Sequence, residues 1–142
     1  MITSIHSPFL EYKLTILRNK KTTNSLFRQT MNEVSYLIAA EVLKFLPYKK
    51  ITVRTPIKNT IGKKLSQQVI LVPILRAGLG LLEGFIKFLP EAEKGHIGLY
   101  RDEQTYKPVE YLFKLPKIKN KKIIVLDPML ATGNSSTAAI TL

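Results

Sequence analysis

The sequence predicts a single α/β domain, residues 1–142, built on a mainly parallel sheet, and three observations support this class. The 142 residues, of which 45% are hydrophobic, are enough for one domain with a sizeable core. Short apolar runs typical of buried strands occur along the chain, and other segments have the apolar spacing of helices. Strand, helix, strand, strand pair, strand and helix follow one another, an order typical of crossovers between parallel strands.

The first half of the chain predicts one helix and one strand. The helix begins at Ser25 and ends before Pro47, and its recurring apolar residues predict core packing. Residues 51–56 have strand-like composition and end at a proline, which bars a central strand from continuing. Residues 57–68 are polar, contain paired lysines and Gly62, and are predicted to form a loop.

The second half predicts the sheet itself. Its apolar strand candidates are residues 69–72, 96–100, 109–113 and 123–126. The first and last of these are continuously apolar, which is typical of strands covered on both faces, whereas residues 109–113 alternate and could form one arm of a projecting ribbon. Residues 79–88 predict a helix that Pro90 terminates.

Composition excludes several classes of site. Without cysteine, the chain has no disulfide framework, thiolate nucleophile or cysteine metal site, and two histidines are too few to suggest zinc. No run of eighteen apolar residues predicts a membrane span. Residues 1–6 lack the charged start and apolar stretch of a secretion signal, so we expect a cytoplasmic protein without membrane association.

The formal net charge of +12 indicates attraction to anions, which could be nucleic acid, acidic membrane or a phosphorylated substrate. The lysine clusters are scattered through predicted loops, without interleaved aromatic residues or a recognition-helix pattern. A solvated, lysine-rich surface is therefore favoured over a nucleic-acid interface.

Asp127 ends the last predicted strand and is followed by the small residues of a helix start, 131–136, among which Thr132, Ser135 and Ser136 add hydroxyl donors. Ligands of parallel sheets collect beyond the carboxyl ends of strands, and a helix N-terminus favours anions. The Lys-Ser/Thr pair of a Walker loop is absent, so a phosphate site here would hold a sugar phosphate rather than a triphosphate. From the residues alone, an ordinary turn capped by Thr132 or Ser135 is an equal alternative.

Two arginines follow strands in the same way. Arg76 precedes Gly78 and Gly80, which would let the backbone approach a bulky anion, although a structural ion pair is the alternative. Arg101 ends the strand at 96–100 and opens a charged loop, and its alternative role is a surface arginine paired with a neighbouring carboxylate.

Three ordered segments resemble the uracil phosphoribosyltransferases. Residues 127–133 (Asp-Pro-Met-Leu-Ala-Thr-Gly) resemble the family's phosphoribosyl-pyrophosphate loop, and residues 72–80 resemble its pyrophosphate loop. Residues 98–105, followed by 107–111, resemble a third segment of the family. The resemblance runs from about residue 6 to the last residue and is strongest after Val69.

This resemblance implies the type I phosphoribosyltransferase fold, a Rossmann-like sheet with a flexible flap. It implies the transfer of phosphoribosyl from 5-phosphoribosyl 1-pyrophosphate to uracil, which yields UMP and pyrophosphate in pyrimidine salvage. The implied catalytic residues are Arg76, Arg101 and Asp127, the last binding ribose hydroxyls. Mg²⁺ would be bound mainly through the substrate, without metal ligands from the protein. Residues implied to bind phosphoribosyl pyrophosphate are Arg76, Ala77, Gly78, Arg101, Asp127, Pro128, Met129, Leu130, Ala131, Thr132, Gly133, Asn134 and Ser135.

The chain departs from the family pattern at two places. Asn134 stands where the family usually has a second glycine, and asparagine tolerates left-handed geometry. The chain ends at Leu142, whereas in the family the uracil-recognition segment and the last strands come later. We therefore expect a domain equivalent to the first two thirds of the family's, with residues 69–72 and 123–126 partly uncovered and uracil bound poorly.

The resemblance also implies a homo-oligomer. Two alternatives to an active enzyme remain open at this point, and for the activity of the isolated chain the first of them is favoured. The first is a non-catalytic fragment that binds phosphoribosyl pyrophosphate or a partner without turnover. The second is a basic nucleic-acid-binding protein on an enzyme-derived scaffold.

Overall fold

The computed structural model describes residues 2–102, 104–105 and 108–142, except for the side chain of Arg101. A short 3-10 turn, Leu43–Phe45, follows the second helix. The elements follow in the order α1 (Pro8–Arg18), α2 (Asn24–Val42), β1 (Tyr48–Arg54), β2 (Asn59–Leu65), β3 (Val69–Leu75), α3 (Leu79–Phe88), β4 (Glu93–Lys94), β5 (His96–Arg101), β6 (Pro108–Lys114), β7 (Lys122–Leu126) and α4 (Asn134–Thr141).

The main sheet is organised around β3. Strands β4, β5 and β7 all pair with β3 in parallel, and β6 pairs with β5 in antiparallel fashion. The α/β class and the mainly parallel sheet predicted from the sequence are confirmed. The predicted ribbon arm at 109–113 is also confirmed, as β6.

Alternate residues of β3 serve two separate apolar clusters. Val69 and Leu71 pack with residues of α2 and α3, whereas Ile70 and Val72 pack with Ile97 of β5 and with α4. Burying both faces of β3 explains why its sequence is continuously apolar. Residues 69–72 are at most 4% exposed, so the prediction that they would be partly uncovered is wrong. The helices cover them.

Strand β7 is covered less completely. It pairs with β3 and with no other strand in the described ranges. Its Ile123 is 41% exposed, whereas Leu126 at its carboxyl end is 3% exposed. The predicted partial exposure of residues 123–126 is therefore confirmed for the start of the strand and wrong for its end.

The predicted loop at 57–68 is wrong, because β2 forms there. It pairs with β1 in an antiparallel ribbon, in which Ile51 lies opposite Gly62, and this ribbon is a sheet of its own. Most of its side chains are exposed on both faces, which explains why the sequence lacks the alternation of a half-buried strand.

The N-terminal helix α1 was not predicted, although its signals are local. The Ser7 side chain accepts a hydrogen bond from the N–H of Leu10, and Pro8 occupies the first turn. Helix α2 begins at Asn24 rather than Ser25, because Thr23 caps it. Within the described residues, no helix is long and apolar enough to cross a membrane.

Candidate functional site

The carboxyl ends of three parallel strands meet at one edge of the sheet. Leu75 of β3 pairs with Gly98 of β5, and Pro73 of β3 pairs with Leu126, the last residue of β7. Arg76 and Asp127 follow β3 and β7 directly, and Arg101 ends β5. The topology therefore brings the three predicted catalytic residues to the same edge.

The loop after β3 packs tightly against the end of β7. A Cβ atom placed on Gly78 would lie 2.3 Å from the carbonyl oxygen of Leu126 and 2.6 Å from the backbone N of Ile74. The peptide bond between Leu75 and Arg76 is cis. Gly78 thus lets the loop after β3 pack closely against the protein's own backbone, including that of Leu126, the residue before Asp127.

Gly80 also has an internal reason to lack a side chain, since its Cβ would lie 3.0 Å from Cγ of Met31. Internal packing is therefore enough to explain why Gly78 and Gly80 are glycines, without an approaching anion. Ala77 is exposed and Gly78 is buried. Binding of substrate by residues 76–78 stays a prediction.

A cleft of about 170 Å³ opens beside Asp127. It is lined by Asp127, by residues 129–136 and by Pro108 of β6. The predicted phosphate-loop residues are thus gathered around one space, with the exception of Pro128. Within the described part of the chain, Arg76, Ala77 and Gly78 also lie outside this lining.

The N-terminus of α4 borders this cleft and has no side-chain cap. Gly133 is the N-cap residue, with φ 76° in the left-handed region, and its carbonyl accepts the first helical bond, from the N–H of Thr137 at 2.8 Å. The alternative of a turn capped by Thr132 or Ser135 is therefore wrong. The N–H groups at 134–136 have no helical acceptor and, with the helix dipole, favour an anion.

The left-handed conformation falls on Gly133, so Asn134 needs no special backbone geometry. It is the first residue of α4 and has a helical conformation. The departure from the family pattern at this position therefore leaves the loop's backbone intact.

The Asp127 carboxylate is oriented by two hydrogen bonds. Its Oδ1 accepts the backbone N–H of Met129 at 3.4 Å, and its Oδ2 accepts the hydroxyl of Ser136 at 3.1 Å. Both Asp127 and Ser136 are half-buried. These two contacts orient the carboxylate where it lines the cleft.

Arg76 is exposed and makes no ion pair with any carboxylate in the described ranges. The alternative of a structural ion pair is therefore wrong for Arg76 within those residues. The side chain of Arg101 lies outside the described residues, so its role stays a prediction. Its backbone pairs with that of Pro108, which places the end of β5 beside the cleft.

A hydrogen-bonded turn follows Arg101. Oδ1 of Asp102 accepts three hydrogen bonds. They come from the backbone N–H of Thr105 at 2.6 Å, from the hydroxyl of Thr105 at 2.8 Å and from the backbone N–H of Gln104 at 3.1 Å. The two bonds from Thr105 are the main cause that lowers the pKa of Asp102 below its usual value. The Asp102 carboxylate therefore stabilises the turn at the end of β5.

Two residues of the cleft, Pro108 and Ser136, are not among the residues implied to bind phosphoribosyl pyrophosphate, although Ser136 is one of the hydroxyl donors predicted for the phosphate site. Pro108 reaches the cleft because β6 folds back along β5, and Ser136 reaches Asp127 because α4 starts beside β7. The sequence signal for Ser136 is its hydroxyl in the first turn of the predicted helix. In the described residues, no group of three or more His, Cys, Asp or Glu side chains is placed to hold a metal ion.

Comparisons with known proteins show the family and the fold. The family model described as uracil phosphoribosyltransferase matches residues 4–142. Uracil phosphoribosyltransferases from Finegoldia magna and Clostridium perfringens are 51% and 50% identical, and each alignment covers 99% of this chain and 68% of the relative. A solved structure from Aquifex aeolicus matches with a TM-score of 0.90 and 35% identity, over 99% of this chain and 68% of that one. The chain thus spans about two thirds of the length of these relatives.

Proposed function

Because the chain belongs to the uracil phosphoribosyltransferase family, we propose that it transfers phosphoribosyl from 5-phosphoribosyl 1-pyrophosphate to uracil. The products are UMP and pyrophosphate, and the family is one of transferases in pyrimidine salvage. The observation that carries the proposal is the cleft in which Asp127 lies beside the uncapped N-terminus of α4. A carboxylate next to an anion site suits a ligand that has both hydroxyls and a phosphate, as ribose 5-phosphate does.

The 5′-phosphate and the ribose of the substrate would each meet a suitable group at this edge. The first-turn N–H groups of α4, with the hydroxyls of Thr132 and Ser135, would hold the 5′-phosphate. Asp127 would accept hydrogen bonds from ribose hydroxyls. These contacts fix the ribose so that its anomeric carbon is held for attack by a nitrogen of the base.

The reaction breaks the bond between the anomeric carbon and pyrophosphate, which leaves with the electron pair. Negative charge therefore grows on the leaving group, and cationic groups placed in advance lower the barrier. Arg76 and Arg101 would supply this charge from the ends of β3 and β5. The exposure of Arg76 and its lack of a described ionic partner support its assignment.

A magnesium ion would be held mainly by oxygens of the substrate. Among the described residues of the cleft, Asp127 is the single carboxylate, and Mg²⁺ is commonly held by one or two carboxylates together with phosphate oxygens. When bound, the ion would neutralise charge on the pyrophosphate. Arg76 and Arg101 would then complete this neutralisation from the protein.

We also propose that the protein forms a homo-oligomer through the β1–β2 ribbon. Isolated two-stranded ribbons are marginally stable in water, and this one exposes Ile57 by 93% and Ile61 by 71%. A second copy would cover this apolar surface. A cytoplasmic location, predicted from the sequence, remains part of the proposal.

Light scattering coupled to size exclusion tests the oligomer. We expect the unsubstituted protein to elute as a dimer or a larger assembly, and Ile61→Lys to shift it towards monomer because a cation would enter the contact. Thr52→Lys, at the register position opposite Ile61, should act in the same way, whereas Thr15→Lys on the exposed face of α1 should not. A monomeric unsubstituted protein would contradict the proposal.

Asp127→Asn tests the ribose contact. We expect the affinity for phosphoribosyl pyrophosphate to fall by about 1–3 kcal/mol, because a charged acceptor is lost while the side-chain shape is kept. Titration calorimetry with magnesium present measures this. Glu110→Gln, an exposed carboxylate of β6, is the matched control. Unchanged affinity in folded Asp127→Asn would remove Asp127 from the site.

Pyrophosphate release tests the activity. The assay compares uracil with cytosine and with purine bases at saturating phosphoribosyl pyrophosphate, and we expect release with uracil. Equally low release with every base would instead match the expectation from the sequence that uracil is bound poorly. Binding of phosphoribosyl pyrophosphate without release for any base would instead support the alternative of a protein that binds this substrate without turnover.

A further inference from the structure

The hydroxyl of Ser136 bridges two parts of the site. Ser136 lies in the first turn of α4, three residues after the N-cap Gly133, and donates to Oδ2 of Asp127 at 3.1 Å. It therefore joins the element proposed to hold the phosphate to the side chain proposed to hold the ribose. The two residues are nine positions apart, and both are half-buried.

The number of lone pairs on the Asp127 carboxylate shows how the bond from Ser136 leaves room for a ligand. An ionised carboxylate has two oxygens with about four acceptor positions. The protein uses one position on each oxygen, through the N–H of Met129 and the hydroxyl of Ser136. One acceptor position remains on each oxygen, which is the number needed by two adjacent hydroxyls of a ribose.

The bond to Ser136 is also the shorter of the two, and its donor belongs to α4, so it ties the carboxylate to a helix. The N–H of Met129 donates at 3.4 Å and follows Asp127 by only two residues in an exposed loop. Without Ser136, the carboxylate would be held by that longer contact alone. Its rotation about χ2 is intrinsically broad.

We propose that Ser136 is a positioning residue, which orients Asp127 for the ribose hydroxyls and couples ribose recognition to phosphate recognition at α4. This inference rests on the proposed function. Ser136 acts through Asp127, in contrast to the hydroxyls of Thr132 and Ser135, which are exposed at the loop and assigned to the phosphate. A ligand with ribose and phosphate is then bound as one unit, whereas a ligand without ribose does not use Ser136.

Binding of three probes separates this role from a general effect on the loop. The probes are phosphoribosyl pyrophosphate with magnesium, ribose 5-phosphate and inorganic phosphate, measured by titration calorimetry. For Ser136→Ala we expect affinity for the two ribose ligands to fall about fivefold to tenfold, because one hydrogen bond to a charged group is lost. Affinity for inorganic phosphate should change less than about twofold.

Three variants control for folding and for side-chain volume. Ser136→Cys keeps the size of the side chain but donates weakly, so it should lose affinity for ribose ligands as Ser136→Ala does. Ser136→Thr keeps the hydroxyl and should restore affinity to near the original value. Thr137→Ala removes an exposed hydroxyl one position further along the same helix and should have no effect.

A double-mutant cycle with Asp127→Ala tests whether Ser136 acts through Asp127. If it does, Ser136→Ala should weaken ribose 5-phosphate binding no further once Asp127 is alanine. Additive losses would contradict the positioning role, as would equal losses for ribose ligands and inorganic phosphate. Unchanged binding by Ser136→Ala and Ser136→Cys would overturn the inference and leave the proposed function standing. Failure of the unsubstituted protein to bind phosphoribosyl pyrophosphate would overturn both.

Discussion

Replacing Arg76 by alanine is expected to lower turnover by about two to three orders of magnitude, the loss typical when one preorganised group that stabilises transition-state charge is removed. The free energy of unfolding should change by less than about 0.5 kcal/mol, because Arg76 is exposed and has no carboxylate partner in the described residues. Steady-state pyrophosphate release and urea denaturation measure the two quantities.

Two further variants sharpen this result. Arg76→Lys keeps the charge but loses the planar fork of donors, so we expect turnover between those of the alanine variant and the unsubstituted protein. Arg28→Ala removes an exposed arginine from α2, far along the chain from the strand ends, and should leave turnover unchanged. Normal turnover in Arg76→Ala would contradict its assignment to the leaving group.

The sheet edge could be predicted because its signals are local and strong. Residues 69–72 and 123–126 are continuously apolar, and each is followed within a few residues by a charged side chain. Because parallel strands bring their carboxyl ends together, the sequence alone is enough to place Arg76 and Asp127 at one edge. Helix α3 was predicted with its observed bounds, because Pro90 and the spacing of its apolar residues mark it.

The β1–β2 ribbon could not be predicted in the same way. Pairing between β1 and β2 depends on contacts across the hairpin, and both faces are largely exposed, so no alternation marks β2. Paired lysines at 63–64 and Gly62 indicate a loop by composition, although here they lie in a strand. Helix α1 is different, because the signals of Ser7 and Pro8 were present in the sequence.

The fine geometry of the cleft also depends on tertiary structure. The left-handed turn at Gly133 directs α4 back towards β7, and only then do Ser136 and Asp127 meet. Pro108 lines the cleft, and it pairs with Arg101 at the end of β5. Neither contact follows from the spacing of residues in the sequence.

Gly78→Ala is expected to have the largest effect on the fold and on the site together. Its new Cβ would lie 2.3 Å from the carbonyl oxygen of Leu126 and 2.8 Å from the carbonyl oxygen of Ile74. Both oxygens belong to the backbone, so no change of side-chain rotamer can relieve these contacts. Overpacking of this kind costs about 1–3 kcal/mol and occasionally more. The loop after β3 would have to move away from the end of β7, which carries Arg76 away from Asp127.

Two other glycines make the test specific. Gly84→Ala would place a Cβ 2.3 Å from the carbonyl carbon and Oγ of Ser35, where α3 crosses α2, so it should destabilise the fold by a similar amount. Gly62→Ala on the exposed ribbon meets Val53 at 3.7 Å, an ordinary contact, and should be nearly neutral. In urea denaturation, Gly78→Ala and Gly84→Ala should therefore have similar free energies of unfolding, both well below that of Gly62→Ala.

Turnover per folded molecule should then differ between Gly78→Ala and Gly84→Ala, the two destabilised variants. Because the contact at Gly84 joins two helices and not the strand ends, folded Gly84→Ala should keep near-normal turnover at saturating substrates. Folded Gly78→Ala should lose turnover by at least about tenfold, since a small displacement of a group that stabilises the leaving charge is costly. Equal turnover in the two folded variants would show that the packing of the loop after β3 against β7 does not position Arg76, and would confine Gly78 to a structural role.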